Sequence, residues 1–387
     1  MKLPTLALAL LTVFSALRAL GSTPAENHDV RVQNSGNPRP KLIFACDKPT
    51  SGLDALFTPE LIADLKELKA GVALSTSDFT PERARLVRKL NAAGIPMTAW
   101  LVLPTDEGYY VNASNALQTT ARFQQFDQWT ADNSLRWAAL GLDIEPTLAD
   151  FAKLAGNKGQ LLALMLRRGF DSSRVRLPRE AYSALIEQMQ GRGYYVQTYQ
   201  LQFIADERRA HTTLLERLFG IVDVRGNEEL LMLYTSFTHA AGAGIIWEYG
   251  PDAQAIAIGS TAASGDPSAD AKFPPLNWDE FLRDAIVAHR FSEPVGIYSL
   301  DGCVRQGFIS RLKTVDWNQP TIIPGASVAK AAKFRTVIFA VLWVGSHLIY
   351  LVAGFLLAIA LLVRAIVRRR RQKRAAEELR QHFQQEV

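Results

Sequence analysis

Two acidic residues at the end of an apolar stretch are the first candidates for chemistry in this sequence. Residues 137–142 form an apolar run that leads directly into Asp143 and Glu145, and Pro146 follows. Such a run is typical of a strand buried on both faces, and proline ends it because it has no N–H to donate to a ladder. Side chains alternate along a strand, so the two acids point to the same side. Two carboxyls there predict either catalysis or an acid pair that caps the next helix or bonds loop amides.

Short apolar strands alternate with helical segments on both sides of this stretch. The predicted strands are residues 41–46, 71–75, 96–103, 140–146, 194–199, 221–224 or 230–234, 244–249 and 295–300, with a short extra strand at 255–258. The predicted helices are residues 58–69, 80–94, 114–133, two within 147–192, then 207–219, 277–290 and 304–314. Eight strand–helix units in roughly 280 residues predict an α/β fold, a closed (β/α)8 barrel of the TIM type. An open doubly wound sheet is the alternative, although no glycine-rich phosphate fingerprint follows the first strand.

Barrels of this kind place their active sites at the C-terminal ends of the strands. The predicted strand ends are rich in carboxylates and aromatic rings, and the candidates for substrate binding are Asp47, Trp100, Tyr199, Tyr234, Tyr298 and Asp301. Glu248, on the predicted seventh strand, is a candidate catalytic partner for Glu145 and Asp143. A zinc site of the usual histidine type is not expected, and neither a Walker sequence nor a nucleophile elbow is present, so no metal or cofactor is predicted.

The two cysteines of the chain fall next to the first and eighth predicted strands. Cys46 ends the first strand and Cys303 lies just past the eighth. The first and last strands are neighbours in a closed barrel, so the two cysteines are expected to lie close together, and a disulfide could form in an oxidising compartment. Two unrelated thiols are the alternative.

The two ends of the chain indicate a membrane protein. Residues 1–21 have a basic start, a short apolar run and small residues, as in a signal peptide; an uncleaved signal anchor is the alternative. Residues 337–363 carry no Lys, Arg, Asp or Glu and exceed the length that a bilayer core of about 30 Å requires. The basic cluster within 364–387 predicts a cytoplasmic tail that contacts anionic lipid, and places the preceding domain outside the cytoplasm. We therefore predict linkers at 22–40 and 321–336 and a barrel domain at 41–320.

The charge of the chain is concentrated in that tail. The net charge is +5 at pH 7 and the isoelectric point is about 9.1. From Phe334 onward there are nine Lys or Arg and three Glu, so the remainder is close to neutral. Binding of nucleic acid is not predicted, because it requires a basic surface on the folded domain.

Carboxylates beside aromatic platforms suit carbohydrate chemistry, in which one acid protonates the leaving oxygen and a second group stabilises or attacks the sugar. Residues 143–145 read Asp-Ile-Glu, which resembles the Asp-X-Glu ending of the family 18 chitinase-like hydrolases. Residues 232–234 read Met-Leu-Tyr, which is similar to the Met-X-Tyr of their sixth strand. The resemblance implies that Glu145 is the acid and that Asp143 orients an acetamido group of the substrate.

A second resemblance selects the same glutamate with another partner. Glu145-Pro146 on the fourth strand and Glu248 on the seventh are similar to the retaining barrel glycosidases of the Glu/Glu clan. That resemblance implies that Glu145 is the acid/base and Glu248 the nucleophile.

The chain departs from both patterns. Gly141 and Thr235 stand where the first family has aspartates, and Ile144 stands where the second has asparagine. The sequence thus predicts a membrane-anchored, extracytoplasmic glycoside hydrolase-like protein that cleaves or binds a glycan with Glu145 as general acid. A non-catalytic carbohydrate-binding or scaffold barrel tethered to the membrane is the alternative.

Overall fold

A computed structural model describes residues 28–34, 39–147, 167–169, 171–239, 241–262 and 273–385. The predicted signal peptide at 1–21 and most of the loop expected after residue 262 lie outside the described residues. The same holds for the first helix predicted after Glu145, because residues 148–166 are not described.

Eight parallel strands close into a barrel, which confirms the predicted (β/α)8 architecture. Each strand pairs with its neighbours in the sequence, and the last closes on the first through Leu42 opposite Val295. The barrel strands are β2 (Leu42–Cys46), β3 (Gly71–Ser75), β4 (Met97–Leu101), β5 (Ala139–Ile144), β6 (Val196–Leu201), β7 (Glu228–Met232), β8 (Ala255–Gly259) and β9 (Val295–Tyr298). A separate antiparallel pair joins β1 (Val30–Val32) to β10 (Thr321–Ile323).

Helices cover the outside of the barrel. In the described part of the chain they are α1 (Thr50–Leu56), α2 (Pro59–Leu68), α3 (Pro81–Ala92), α4 (Ala116–Asp132), α5 (Ser173–Gly191), α6 (Phe203–Arg209), α7 (Leu214–Phe219), α8 (Gly244–Tyr249), α9 (Trp278–His289), α10 (Leu300–Arg305), α11 (Phe308–Leu312) and α12 (Gly325–Gln385). Threonine and proline set two of the starts as the sequence predicts: the side chains of Thr58 and Thr80 accept from the backbone N–H three residues on, and proline occupies the first turn.

The predicted seventh strand is wrong. Residues 244–249 form helix α8, and the segment predicted as an extra strand is β8, the true seventh strand of the barrel. Ile245, Ile246 and Tyr249 are buried while Glu248 is partly exposed, which is the spacing of one buried helix face. Periodicity cannot separate a short apolar helix from a buried strand. The sixth strand is the second of the two predicted alternatives.

The segments predicted as linkers contain regular structure near the barrel. Strands β1 and β10 lie within them, and α12 begins at Gly325 rather than after residue 336. The first part of α12 packs on the barrel, where Leu342 is buried with Ala210, Leu214 and Leu218. Further along, Tyr350–Ala376 is long and apolar enough to cross a membrane, and an 18-residue window within it has a mean hydropathy of 2.5.

The two cysteines are free thiols, and the structure contains no bond between them. Both are fully buried in the same core, and helix α10, which carries Cys303, packs against strand β2, which ends at Cys46. Helix α10 and strand β2 therefore lie close together, as predicted, without a disulfide between them. Burial raises the pKa of each thiol to about 12, so both stay protonated and unreactive.

Candidate functional site

A small cavity, with about 40 Å³ of space for the centre of a water molecule, lies at the centre of the barrel. All eight barrel strands, or the residues directly after them, contribute to its wall, which combines large aromatic and aliphatic side chains with a few small ones. The lining residues are Ile43, Ala45, Ala73, Trp100, Asp143, Gln197, Tyr199, Leu230, Met232, Tyr234, Ala257, Gly296, Ile297 and Tyr298. Five of the predicted site residues are therefore in one cavity: Trp100, Asp143, Tyr199, Tyr234 and Tyr298.

Asp143 lies in the wall of this cavity near the C-terminal end of β5. Its side chain is 3% exposed, and its Oδ1 has no hydrogen-bond partner among the described residues. Burial raises the pKa of Asp143 well above its ordinary value, and the nearby carboxyls of Glu145 and Asp47 raise it further. Burial therefore favours the neutral, proton-carrying form of the Asp143 carboxyl.

Glu145 follows the last residue of β5 and is partly exposed. Its backbone N–H donates to the carbonyl oxygen of Val111 at 3.1 Å, and the N–H of Val111 donates to the carbonyl of Asp143 at 2.9 Å. Burial raises the pKa of Glu145 to about 7. No cation of the described chain offsets this shift, so Glu145 is poised to exchange a proton near neutral pH.

Two tyrosines that the sequence analysis missed lie beside these acids. Tyr109 and Tyr110 are in the loop after β4, and Val111 next to them forms a bridge to Ile144. Burial raises the pKa of Tyr110, and the carboxyls of Glu145 and then Asp143 are the next causes, so the phenol lies close to both acids. Their position in the loop directly after a predicted strand was the sequence signal that could have identified these two tyrosines.

Side-chain amides fix this loop. The Nδ2 groups of Asn112 and Asn115 both donate to the carbonyl of Tyr110, at 2.9 and 2.8 Å. The hydroxyl of Tyr182, on α5, donates to the carbonyl of Asn112 at 2.9 Å. The tyrosine pair is thus held in place by buried hydrogen bonds rather than by its own packing.

Aromatic rings form another part of the cavity wall. The rings of Tyr234 and Tyr298 stack at 5.7 Å, and Trp100 meets Tyr298 edge-on at 6.4 Å. Burial raises the pKa of Tyr234 well above its ordinary value, and the next causes are Asp143 and Glu145. These phenols stay protonated and can donate hydrogen bonds to a ligand in the cavity.

Gly141 explains one departure from the family 18 pattern. A Cβ atom at this position would lie 2.4 Å from the hydroxyl of Tyr199, so Tyr199 fills the space in front of the glycine. The hydroxyl also bonds to Gln197 at 3.3 Å. A tyrosine on β6 therefore occupies the position towards which a side chain on β5 would point.

Asp47 and Asp301, the two remaining predicted binding residues, have different partners. The hydroxyl of Tyr109 donates to Asp47 at 2.5 Å, which joins Asp47 to the tyrosine loop. Asp301 forms ion pairs with Lys48 at 3.3 Å and Arg305 at 2.9 Å. Burial acts to raise the pKa of Asp301, but the hydrogen bond from Ser299 and these charges hold it below its ordinary value. Asp301 is therefore an ionised, paired carboxylate.

Glu248 is separated from this group. It lies on the outer helix α8, where its backbone carbonyl accepts a hydrogen bond from Arg335 of α12. Burial raises the pKa of its carboxyl, and the charges of Arg335 and Arg209 oppose the shift. The pairing of Glu145 with a strand-seven glutamate, which the Glu/Glu resemblance implied, depended on the incorrect strand assignment.

Acidic, cysteine and histidine side chains do not gather into a metal site in the part of the chain that the structure describes. The arrangement offers instead a cavity lined by phenol donors and by one carboxyl whose neutral form burial favours, with a second carboxyl of pKa about 7 two residues further along the chain. Such a set can donate a proton to an oxygen atom and hold a polar ligand against aromatic rings.

Comparison with known proteins yields distant structural neighbours. No family model matches the chain, and no curated protein matches it. Among solved structures, the PgaB (BpsB) glycoside hydrolase domain from Bordetella bronchiseptica is 13% identical, with 71% of this chain and 98% of that chain covered and a TM-score of 0.41.

Two further solved structures are distantly similar to the chain. An L-ribulose 3-epimerase is 13% identical, covering 80% of this chain and 98% of its own, with a TM-score of 0.37. Saccharomyces cerevisiae Gas2p in complex with laminaripentaose is 14% identical, covering 80% of this chain and 68% of its own, with a TM-score of 0.33. All three scores are below 0.5, so the assignment of the fold rests on the closed barrel of this chain.

Proposed function

We propose that this protein is a membrane-anchored glycoside hydrolase whose barrel lies outside the cytoplasm and whose general acid is Glu145. One observation carries the proposal. Two carboxyls with raised pKa values share one face at the C-terminal end of β5, among phenols and without a cationic partner in the described chain. An ordinary structural acid pair would be neutralised by a cation or by amides.

The proposed reaction uses Glu145 as a proton donor and acceptor. Protonated Glu145 gives its proton to the glycosidic oxygen as the bond from that oxygen to the anomeric carbon breaks. Water then adds to the anomeric carbon and returns a proton to Glu145, which restores the enzyme. A pKa of about 7 suits both steps at neutral pH.

Asp143 is proposed to position the substrate rather than to attack it. Its neutral carboxyl can donate a hydrogen bond, and its unpartnered Oδ1 is available to a ligand. The family 18 resemblance implies an acetamido group as the partner, and enzymes of that family use the substrate itself in place of a second catalytic carboxylate. This assignment does not require Glu248.

The proposed location follows from the ends of the chain. The apolar part of α12, which ends at Val363, would cross the bilayer once, and the basic residues after it would lie on the cytoplasmic side against anionic lipid. The signal-like residues 1–21 support export of the barrel.

The direct test is hydrolysis of a glycan panel by the full chain in detergent. We expect Glu145→Gln to lower kcat by about 10²–10⁴-fold while leaving the fold intact, because general acid catalysis contributes that much. Glu187→Gln is the matched control, since Glu187 is exposed on α5. Hydrolysis that survives Glu145→Gln would show that the acid is elsewhere.

A non-catalytic glycan-binding barrel is the second candidate. It is favoured by Tyr199, which fills the space in front of Gly141 and leaves this part of the cavity without another acid. Binding of a glycan by the wild-type protein without any cleavage, with binding weakened by substitution of Tyr234, would select this function.

A further inference from the structure

Helix α12 runs beside the barrel in one defined direction. At its start, the hydroxyl of Ser327 bonds to Ala241 and Gly244, at the beginning of α8. Two turns later, Arg335 bonds to the carbonyl of Glu248 and to Asp252, at the end of α8. Helix α12 therefore runs parallel to α8 and in the same sense.

The contacts with α6 and α7 continue the same path. Phe334 meets Phe203, the first residue of α6, at 6.1 Å, and the guanidinium of Arg209, its last residue, lies 5.8 Å from the ring of Phe339. Leu214 then packs on Leu342 and lies against Gly345, where an added Cβ would be 2.5 Å from it. The helix thus stays on the barrel as far as Gly345.

The barrel topology relates the direction of α12 to the two faces of the barrel. Helix α6 begins just after the C-terminal end of β6, and Arg208 at its far end bonds to Glu229, near the N-terminal end of β7. Asp252 lies three residues before the start of β8. Helices α6 and α8, two of the three helices that α12 contacts, therefore run from the C-terminal face of the barrel to its N-terminal face.

The continuation of α12 consequently leaves the barrel on the N-terminal side. The mouth with Asp143 and Glu145 therefore lies on the opposite face of the barrel from the one towards which α12 continues.

We infer that the mouth of the barrel opens away from the bilayer, so that its ligand is a glycan chain that is free in solution or extends clear of the membrane. The sugar head group of a lipid in the same membrane would lie at the N-terminal face, away from Asp143 and Glu145 at the C-terminal end of β5. Both parts rest on the proposed function, the ligand class on its glycan chemistry and the orientation on its membrane anchor, while the direction of α12 on the barrel is observed.

The orientation is tested with one label at each end of the barrel. The full chain is placed in nanodiscs whose lipid head groups carry a chelated Ni²⁺ quencher of short range. A fluorophore is attached at Tyr195→Cys, just before β6, or at Leu117→Cys, at the start of α4; both wild-type side chains are exposed, and the native thiols are buried. We expect several-fold stronger quenching at position 195. Equal quenching, or stronger quenching at position 117, would overturn the inference.

The ligand class is tested in the same discs. One oligosaccharide is offered free in solution and attached to a lipid of the disc, with binding and hydrolysis both measured. We expect the free form to be preferred at least several-fold, and preference for the lipid-linked form would overturn the inferred class. If position 195 is quenched but neither form is bound or cleaved, the orientation stands and the glycan function fails.

Discussion

At the scale of single residues, the site depends on two carboxyls whose pKa values are raised by burial. Asp143 and Glu145 lie on one strand end, and the unusual property of both is the absence of a cationic partner in the described chain. Such groups stabilise the fold only while they are neutral, so function and stability are expected to share one pH dependence.

The first prediction concerns the pH dependence of stability. The pKa of Glu145 is raised from 4.5 to about 7, so its favourable contribution is complete below pH 4.5 and is lost as the pH rises through 7. We expect the free energy of unfolding of the wild type to fall over this range relative to Glu145→Gln, by at most about 3 kcal/mol. Denaturant titrations at pH 4.5 and 8 measure the difference. A constant difference between the two proteins would contradict the raised pKa.

A second residue-scale prediction uses the contact between Gly141 and Tyr199. Gly141→Ala should force the phenol ring to move and cost about 1–3 kcal/mol, as overpacking does. Tyr199→Leu should relieve the clash, so the double variant should be more stable than the sum of the single effects predicts. Thermal unfolding of the four proteins measures the coupling. Additive effects would mean that the ring adapts without strain.

At the scale of elements, the attachment of α12 depends on one buried arginine. Arg335 is 9% exposed, bonds to Asp206 at 2.8 Å and to Asp252, and stacks on the ring of Tyr249 at 4.5 Å. Asp206 is fully buried, so this pair joins the helix that continues into the apolar segment to the barrel. Loops alone would leave the barrel free to rotate on its anchor.

The third prediction follows from that pair. Arg335→Met keeps a long side chain but leaves Asp206 buried without its cation, which should destabilise the protein by about 3–5 kcal/mol. Lys333→Met on the exposed side of the same helix is the matched control. Thermal unfolding in detergent should separate the two variants clearly, and an equally small effect of both would show that α12 is held by apolar contacts alone.

At the scale of the whole molecule, a closed barrel is joined to a continuous helix of 61 residues. The barrel closes through the pairing of β2 with β9, and the core packing of Cys46 and Cys303 lies at this junction. Closure therefore depends on strand pairing and burial and does not require a covalent link.

The fourth prediction concerns these thiols. A thiol reagent should fail to modify the native full-length protein, since both cysteines are fully buried and their pKa values are raised to about 12. After denaturation without reductant, two thiols should react. Reductant should also leave the melting temperature unchanged. Finding no reactive thiol after denaturation would reveal a disulfide.

The local pattern of the sequence was sufficient for seven of the eight barrel strands and for the placement of Asp143 and Glu145 at a strand end. Both depend on short-range rules: apolar runs bounded by turns mark strands, and alternation places residues two apart on one face. The starts of two helices were predictable for the same reason, because the side chains of Thr58 and Thr80 accept hydrogen bonds from backbone N–H groups within one turn.

The tertiary structure decided the remainder, because it depends on contacts between residues far apart in the chain. Residues 244–249 are a helix because β8 takes the place beside β7, which the apolar run alone could not reveal. Tyr110 reaches the acids because asparagine side chains hold its loop, and Tyr199 fills the space before Gly141 only when β5 and β6 are paired. The direction of α12, and with it the direction of the mouth, likewise exists only in the packed molecule.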